Sequence, residues 1–139
     1  MKSGFRILDH PADLGIEAFG ASLAEAFEQA VAALMSIIIE HPTIDSPEQR
    51  EVEITASDFE HLLVKWLSEI LYLYDGQQFV TARAAIHTLS PTNLRATLYG
   101  APLSLLTHVT KLDVKAVTYH QVLVEESGDG GMVRVYLDI

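Results

Sequence analysis

Two acids at opposite ends of the chain have the residue types and the placement to do chemistry. Asp13 closes the segment Asp9-His10-Pro11-Ala12-Asp13 just before the run that starts at Leu14, and Asp138 sits inside Tyr136-Leu137-Asp138-Ile139. Alternation along a strand puts Asp138 on the face opposite Val135, Leu137 and Ile139, together with Arg134 and Tyr136. Its side chain and the Ile139 α-carboxylate then lie next to each other at a strand end. If the strands bearing Asp13 and Asp138 are sheet neighbours, the carboxylates of Asp13, Asp138 and Ile139 converge. Hard oxygen donors of this kind suit Ca²⁺ or Mg²⁺, with water completing the shell. Plainer roles fit the same residues: Asp13 as a turn or cap residue and Asp138 as a solvated strand end.

Lys115 sits between Val114 and Ala116 in the strand-like segment Val114-Lys115-Ala116-Val117-Thr118-Tyr119-His120. It suits either an edge-strand charge that blunts aggregation or an ammonium placed near the acids or near a partner's phosphate. The histidines at 10, 41, 61, 87, 108 and 120 form no H-x-x-x-H pair. A regular strand would give His120 the parity opposite to Lys115 and send it to the other sheet face. No G-x-S-x-G elbow, phosphate loop or dinucleotide fingerprint is present. The chain has no cysteine, which excludes disulfides, a thiol nucleophile and cysteine-built zinc sites.

The formal charge of −10, from nine basic and nineteen acidic residues, argues against direct nucleic-acid binding as the main activity. It favours docking to a basic protein, including one that itself carries RNA or nucleotide. The 139 residues suit a single domain, 1–139, with one buried core. No run approaches the ~20 apolar residues of a membrane span, and the N-terminus lacks the apolar stretch of a signal peptide. The expected location is the cytoplasm.

The elements that must position these groups follow from periodicity. Residues 16–20 read as a strand, and Ser22-Leu23-Ala24-Glu25 has the form of a capping box. Leu23, Ala26, Phe27, Ala30, Val31, Leu34, Met35 and Ile38 then mark one helical stripe. The alternating strand 51–55 leads to a second start at Ser57 with Glu60, or at Asp58. Its stripe is Phe59, Leu62, Leu63, Trp66, Leu67, Ile70, Leu71 and Tyr74, with Asp75-Gly76 as the expected stop. Residues 41–47 read as a link. Strands are expected over 79–89 and 94–99 around Ser90-Pro91-Thr92-Asn93, and over 114–126 and 132–139 around a glycine-rich turn. Residues 101–113 show no clear period and read as a surface loop. The expected fold is α+β, a two-layer sandwich of two amphipathic helices on a mostly antiparallel β-sheet, with Trp66, Phe27, Leu63 and Leu34 in the shared core.

Taken together, five segments resemble the archease family in order and spacing. Leu8-Asp9-His10-Pro11-Ala12-Asp13-Leu14-Gly15 is similar to the opening motif D-H-T-A-D-x-G, with Pro11 in place of threonine. Leu23-Ala24-Glu25-Ala26-Phe27-Glu28 and the run from Leu62 to Leu71 are similar to the two helix signatures. Val114-Lys115-Ala116-Val117-Thr118-Tyr119-His120 resembles the most recognisable motif, and Leu137-Asp138-Ile139 the closing D-[IL].

This resemblance implies an accessory protein and not a stand-alone enzyme. Its partner would be a GTP-dependent RNA-splicing ligase of the RtcB type, which joins RNA ends in tRNA splicing and RNA repair. The implied role is to promote guanylylation of the ligase's active-site histidine and multiple turnover, with RNA met only through the ligase. Asp13, Asp138 and the Ile139 terminus would be the divalent-cation ligands, Ca²⁺ first and Mg²⁺ or Mn²⁺ as alternatives. Lys115 would act on the partner, and Asp9, His10 and His120 would be supporting neighbours. Two departures stand out. Gly100-Ala101-Pro102 replaces the family's Gly-Glu, and Leu103-Ser104-Leu105-Leu106-Thr107-His108-Val109 replaces a loop rich in Lys, Glu and His. Other functions compatible with the residues are a small divalent-metal-dependent hydrolase and a metal-independent acidic interaction module.

Overall fold

A computed structural model of the chain describes residues 3–9, 13–40, 47–105 and 109–139, apart from the side chains of Asp9 and Val109. Two helices pack on antiparallel β-sheets, as the periodicity predicts. The strands are β1 (Gly4–Asp9), β2 (Asp13–Gly20), β3 (Ile39–Glu40), β4 (Glu48–Thr55), β5 (Phe79–Ser90), β6 (Asn93–Pro102), β7 (Val109–Thr110), β8 (Ala116–Val117), β9 (Leu123–Ser127) and β10 (Gly130–Asp138). The helices are α1 (Leu23–Ile38) and α2 (Phe59–Gln77). One sheet runs β1-β2-β10-β8 with β9 also on β10, a second runs β4-β6-β5, and β3 pairs with β7. Every pairing among the described residues is antiparallel.

Both helices start on a side chain that satisfies an otherwise orphan backbone donor. Ser22 Oγ accepts from Glu25 N–H at α1, and Asp58 Oδ1 accepts from His61 N–H at 2.8 Å at α2. Of the two candidate starts for α2, Asp58 is therefore the cap. The apolar stripes meet in one core that also takes the inner faces of β2, β6 and β10. Trp66, Phe27, Leu63 and Leu34 are all fully buried there. The Trp66 indole N–H donates to the Phe27 carbonyl at 3.0 Å, tying α2 to α1.

Four sequence expectations change in the structure. α2 runs through Gly76 to Gln77 and ends on Gln78, whose φ of 54° is left-handed and whose N–H returns to Leu73 and Tyr74. The tight entry into β5 at the buried Phe79 overrides the local glycine signal. The expected strand 114–126 is broken into β8 and β9 by a turn, with Gln121 at a φ of 51°. β6 extends through Pro102, followed by a single 3-10 turn (Leu103–Leu105) and the short β7, so 101–113 is only partly irregular. Buried Ala101 explains the extension, since it pairs with Val80 at the inner end of the sheet. Finally, the strands divide into separate sheets where a single one was expected. The link over 41–47 lies outside the described residues except for Pro47, as do residues 106–108.

Candidate functional site

The β2–β10 ladder decides where the terminal acids go. Its register runs from Gly20↔Gly131 through Ile16↔Val135 to Asp13↔Asp138. Directly opposed residues of an antiparallel pair project from the same face, ~5 Å apart at Cβ. The two aspartates are therefore held as a facing pair by the strand pairing itself. Ile16, Ala18, Val133, Val135 and Leu137 fill the buried face of the ladder. They fix the register, because a one-residue slip would put that whole set into water.

Facing like charges destabilise a ladder, and no ion pair among the described residues offsets them. Asp13 is half-buried and Asp138 exposed, and no described side chain forms an ion pair with either. Lys115 joins the pair from the other side of β10. Its backbone N–H donates to the Asp138 carbonyl at 2.8 Å, one step before the Ala116↔Asp138 and Val117↔Leu137 pairing. The Lys115 side chain is exposed and forms no hydrogen bond or ion pair with a described residue. Ile139 follows Asp138 directly and is 38% exposed, so this end of the ladder is open to solvent.

Next along the same face comes an aromatic step. Tyr136 pairs with Gly15, and its ring lies across that glycine: a Cβ there would come within 2.8 Å of Tyr136 Cε1 and 2.9 Å of Leu8 Cβ. His120 meets the Tyr136 ring edge-on, with centroids 5.9 Å apart. Although β8 ends at Val117, its register pairs Ala116 with Asp138, and Thr118 carries the same parity on to Tyr136. Thr118 donates to the Tyr136 carbonyl with both its N–H, at 3.0 Å, and its hydroxyl, at 2.9 Å. His120 thus lies on the face that holds Asp13 and Asp138, beside Tyr136. Asp9 ends β1 opposite Leu14, while its side chain, together with His10 and Pro11, lies outside the described residues.

No three His, Cys, Asp or Glu side chains gather at a metal-sized site among the described residues. The donor set expected from the sequence has only two such side chains, and its third group is a main-chain carboxylate. The donor chemistry at this end is all oxygen. Two unpaired facing carboxylates fit a hard divalent cation, which would cancel their repulsion.

The model of the archease protein family matches residues 5–139. The chain belongs to the archease family. The archease of Pyrobaculum neutrophilum is 37% identical over 139 residues, covering 97% of this chain and 95% of its own. That of Pyrococcus abyssi is 38% identical over 125 residues, covering 88% of each. Among solved structures, protein 1598 of Methanobacterium thermoautotrophicum shares the fold with a TM-score of 0.77 at 32% identity, over 98% of this chain and 99% of its own. An archease of Thermotoga maritima, described as a possible chaperone, has a TM-score of 0.65 at 21% identity, over 100% and 98%.

In this archease-family chain the Gly15–Tyr136–His120 step is the part of the site that residue patterns miss. The glycine of D-x-G carries the one legible signal, a residue without a side chain directly opposite an aromatic one. No helix among the described residues is long and apolar enough to cross a membrane.

Proposed function

We propose that this chain activates a GTP-dependent RNA ligase of the RtcB type by promoting guanylylation of the ligase's active-site histidine and sustaining multiple turnover. The cation reading goes with it: Asp13, Asp138 and the Ile139 carboxylate would hold a divalent ion, Ca²⁺ before Mg²⁺ or Mn²⁺. The ion would supply positive charge that relieves the facing acids and organises the open end of the ladder. The observation that supports this reading is the facing Asp13↔Asp138 couple with Lys115 hydrogen-bonded beside it through its backbone, none of the three in an ion pair among the described residues. Two carboxylates and an ammonium that form no ion pair among the described residues are groups an outside partner can engage. With its backbone anchored on Asp138, the exposed Lys115 ammonium can reach a phosphate of the ligase–nucleotide complex and stabilise its charge.

Single-turnover guanylylation of an RtcB-type ligase tests the reading. Wild-type protein should accelerate formation of the ligase–guanylate, and Lys115→Ala should lose most of that effect while its circular dichroism stays unchanged. Equal stimulation by Lys115→Ala would remove the lysine from the mechanism, and no stimulation by wild type would overturn the activator reading. Release of phosphate from model phosphoesters by the purified protein would favour the hydrolase instead. Full stimulation by Asp13→Ala/Asp138→Ala would favour a metal-independent interaction module.

A further inference from the structure

The β4-β6-β5 sheet has two edges, and the fold treats them differently. β5 is shielded. It is bulged at Ala82 and His87, where the register against β6 shifts, and the Ile86 N–H at its outer side is taken by Glu28 Oε2 of α1 at 2.8 Å. Bulges and helix cover are ordinary ways of disarming a sheet edge. β4 has neither. It pairs with β6 over eight residues without a shift, from Glu48↔Gly100 to Thr55↔Asn93.

The alternation of the antiparallel ladder tells which β4 groups face outward. Ala56 N–H continues the ladder to the Thr92 carbonyl, which places Ile54, Val52 and Arg50 among the bonded positions. Gln49, Glu51, Glu53 and Thr55 then point their N–H and C=O groups away from β6. Two side-chain bonds agree: Lys65 Nζ reaches the Thr55 carbonyl at 2.9 Å, and Arg50 Nη1 the Gln49 carbonyl at 3.1 Å. Among the described residues no backbone group bonds to this outer edge.

Hollows flank the edge on both sides. One, of about 440 Å³, runs between β4 and α2 and is lined by Glu53, Ile54, Thr55, Lys65, Glu69 and Tyr72. The other, of about 350 Å³, lies over the sheet face and is lined by Glu51, Val52, Glu53, His87, Thr88 and Arg95. A strand added to β4 would send alternate side chains into these two spaces. The acids there are held in place. Thr97 Oγ1 donates to Glu51 at 2.8 Å and itself accepts from His87 Nε2 at 2.7 Å, and Asn93 Nδ2 donates to Glu53 at 3.0 Å.

We propose that the outer edge of β4 is a strand-addition site for an extended, lysine- or arginine-bearing segment of a partner protein. A free edge beside a helix is a recurring way to bind an extended peptide, with main-chain bonds giving affinity and flanking pockets giving selectivity. Charge chooses the occupant. A second copy of β4 paired on this edge would set Glu51 and Glu53 against acids of the same kind, which antiparallel pairing penalises. A basic segment meets them as counter-charges. This site does not depend on the ligase reading, and it uses none of Asp13, Lys115 and Asp138.

The test is fluorescence polarisation with a labelled eight-residue peptide of alternating lysine and threonine. Three controls accompany it: the glutamate–threonine analogue, the lysine peptide with alternate amides N-methylated, and Glu53→Pro protein. The proline removes an outward N–H together with the Glu53 carboxylate and spares the backbone bonds to β6. The lysine peptide should bind, with the Glu51 and Glu53 amides gaining hydrogen-exchange protection. The glutamate analogue, the methylated peptide and Glu53→Pro should each weaken binding at least about tenfold, one lost charged or main-chain hydrogen bond being worth that much. Glu53→Lys gives the same reading if the proline variant does not fold. Equal binding of the methylated peptide, or no protection at Glu51 and Glu53, would overturn strand addition. So would a dimer in sedimentation that Glu53→Pro dissolves, because that would assign the edge to a second copy.

Discussion

The two ends of the β2–β10 ladder are built from opposite materials. At the Gly20↔Gly131 end both residues are buried glycines, and α1 begins directly on top of them. A Cβ on Gly131 would fall 2.6 Å from Leu23 Cα, and one on Gly20 2.6 Å from Glu25 Cβ. At the Asp13↔Asp138 end two acids face each other with no ion-pair partner among the described residues. One end gives up side chains so that a helix can dock, and the other keeps charges that folding alone would not choose. Rigidity from the first makes the second precise: the dry inner face between them holds the acids in register.

Substitutions can break this contrast. The largest effect is expected on the shared inner face, where Leu137→Ala should lower unfolding free energy by about 2–5 kcal/mol in urea titrations. A fall below ~1 kcal/mol would mean that the acid end is not anchored by the core. Next, Gly131→Ala pushes a methyl at helix backbone and should cost about 1–3 kcal/mol, whereas Gly128→Ala in the β9–β10 turn, with open space around it, should be near neutral. At the acid end the sign reverses. Asp13→Asn should raise stability in chelator by about 0.2–1 kcal/mol as the like-charge pair is relieved. The same change should abolish the rise in melting temperature that added Ca²⁺ gives the wild type by mass action. Calorimetry showing equal Ca²⁺ effects in both proteins would detach the cation from this pair. Lys115→Ala should change stability by no more than ~0.5 kcal/mol.

The smallest effect is a pH dependence outside the ladder. The hydrogen bond from His61 N–H, followed by the one with the His61 ring, holds the Asp58 carboxyl below its ordinary value. Because the folded value is the lower one, this cap's contribution is present above the ordinary carboxylate range. It is lost as pH falls through the folded value. Asp58→Asn should therefore flatten the acid limb of the stability profile slightly, as read from urea midpoints between neutral and acid pH.

The helices were legible because their information is local: a 3.6-residue stripe and a capping oxygen three residues before the donor it satisfies. So were the β5–β6 and β9–β10 hairpins, whose turn residues adjoin the strands they join. Asp13 and Asp138 could be named as strand-end acids, but their meeting depends on β2 lying beside β10. That pairing joins the two ends of the chain, and no short-range pattern encodes it. The division of the strands into separate sheets escaped for the same reason. His120 could be given a parity from the sequence, but its contact with Tyr136 depends on β8 lying beside β10, which no short-range pattern encodes. The end of α2 escaped because Gln78 takes a left-handed conformation that sequence alone would assign to Gly76.

Trp66 is the chain's single tryptophan, and its indole is sealed between the helices on the Phe27 carbonyl. The molecule therefore carries its own optical probe. Native emission should be blue-shifted, and a red shift should mark the moment α2 parts from α1, with no dye attached. Every titration of the ladder variants can be followed in that one signal, leaving the acids, the lysine and the open edge of β4 unlabelled.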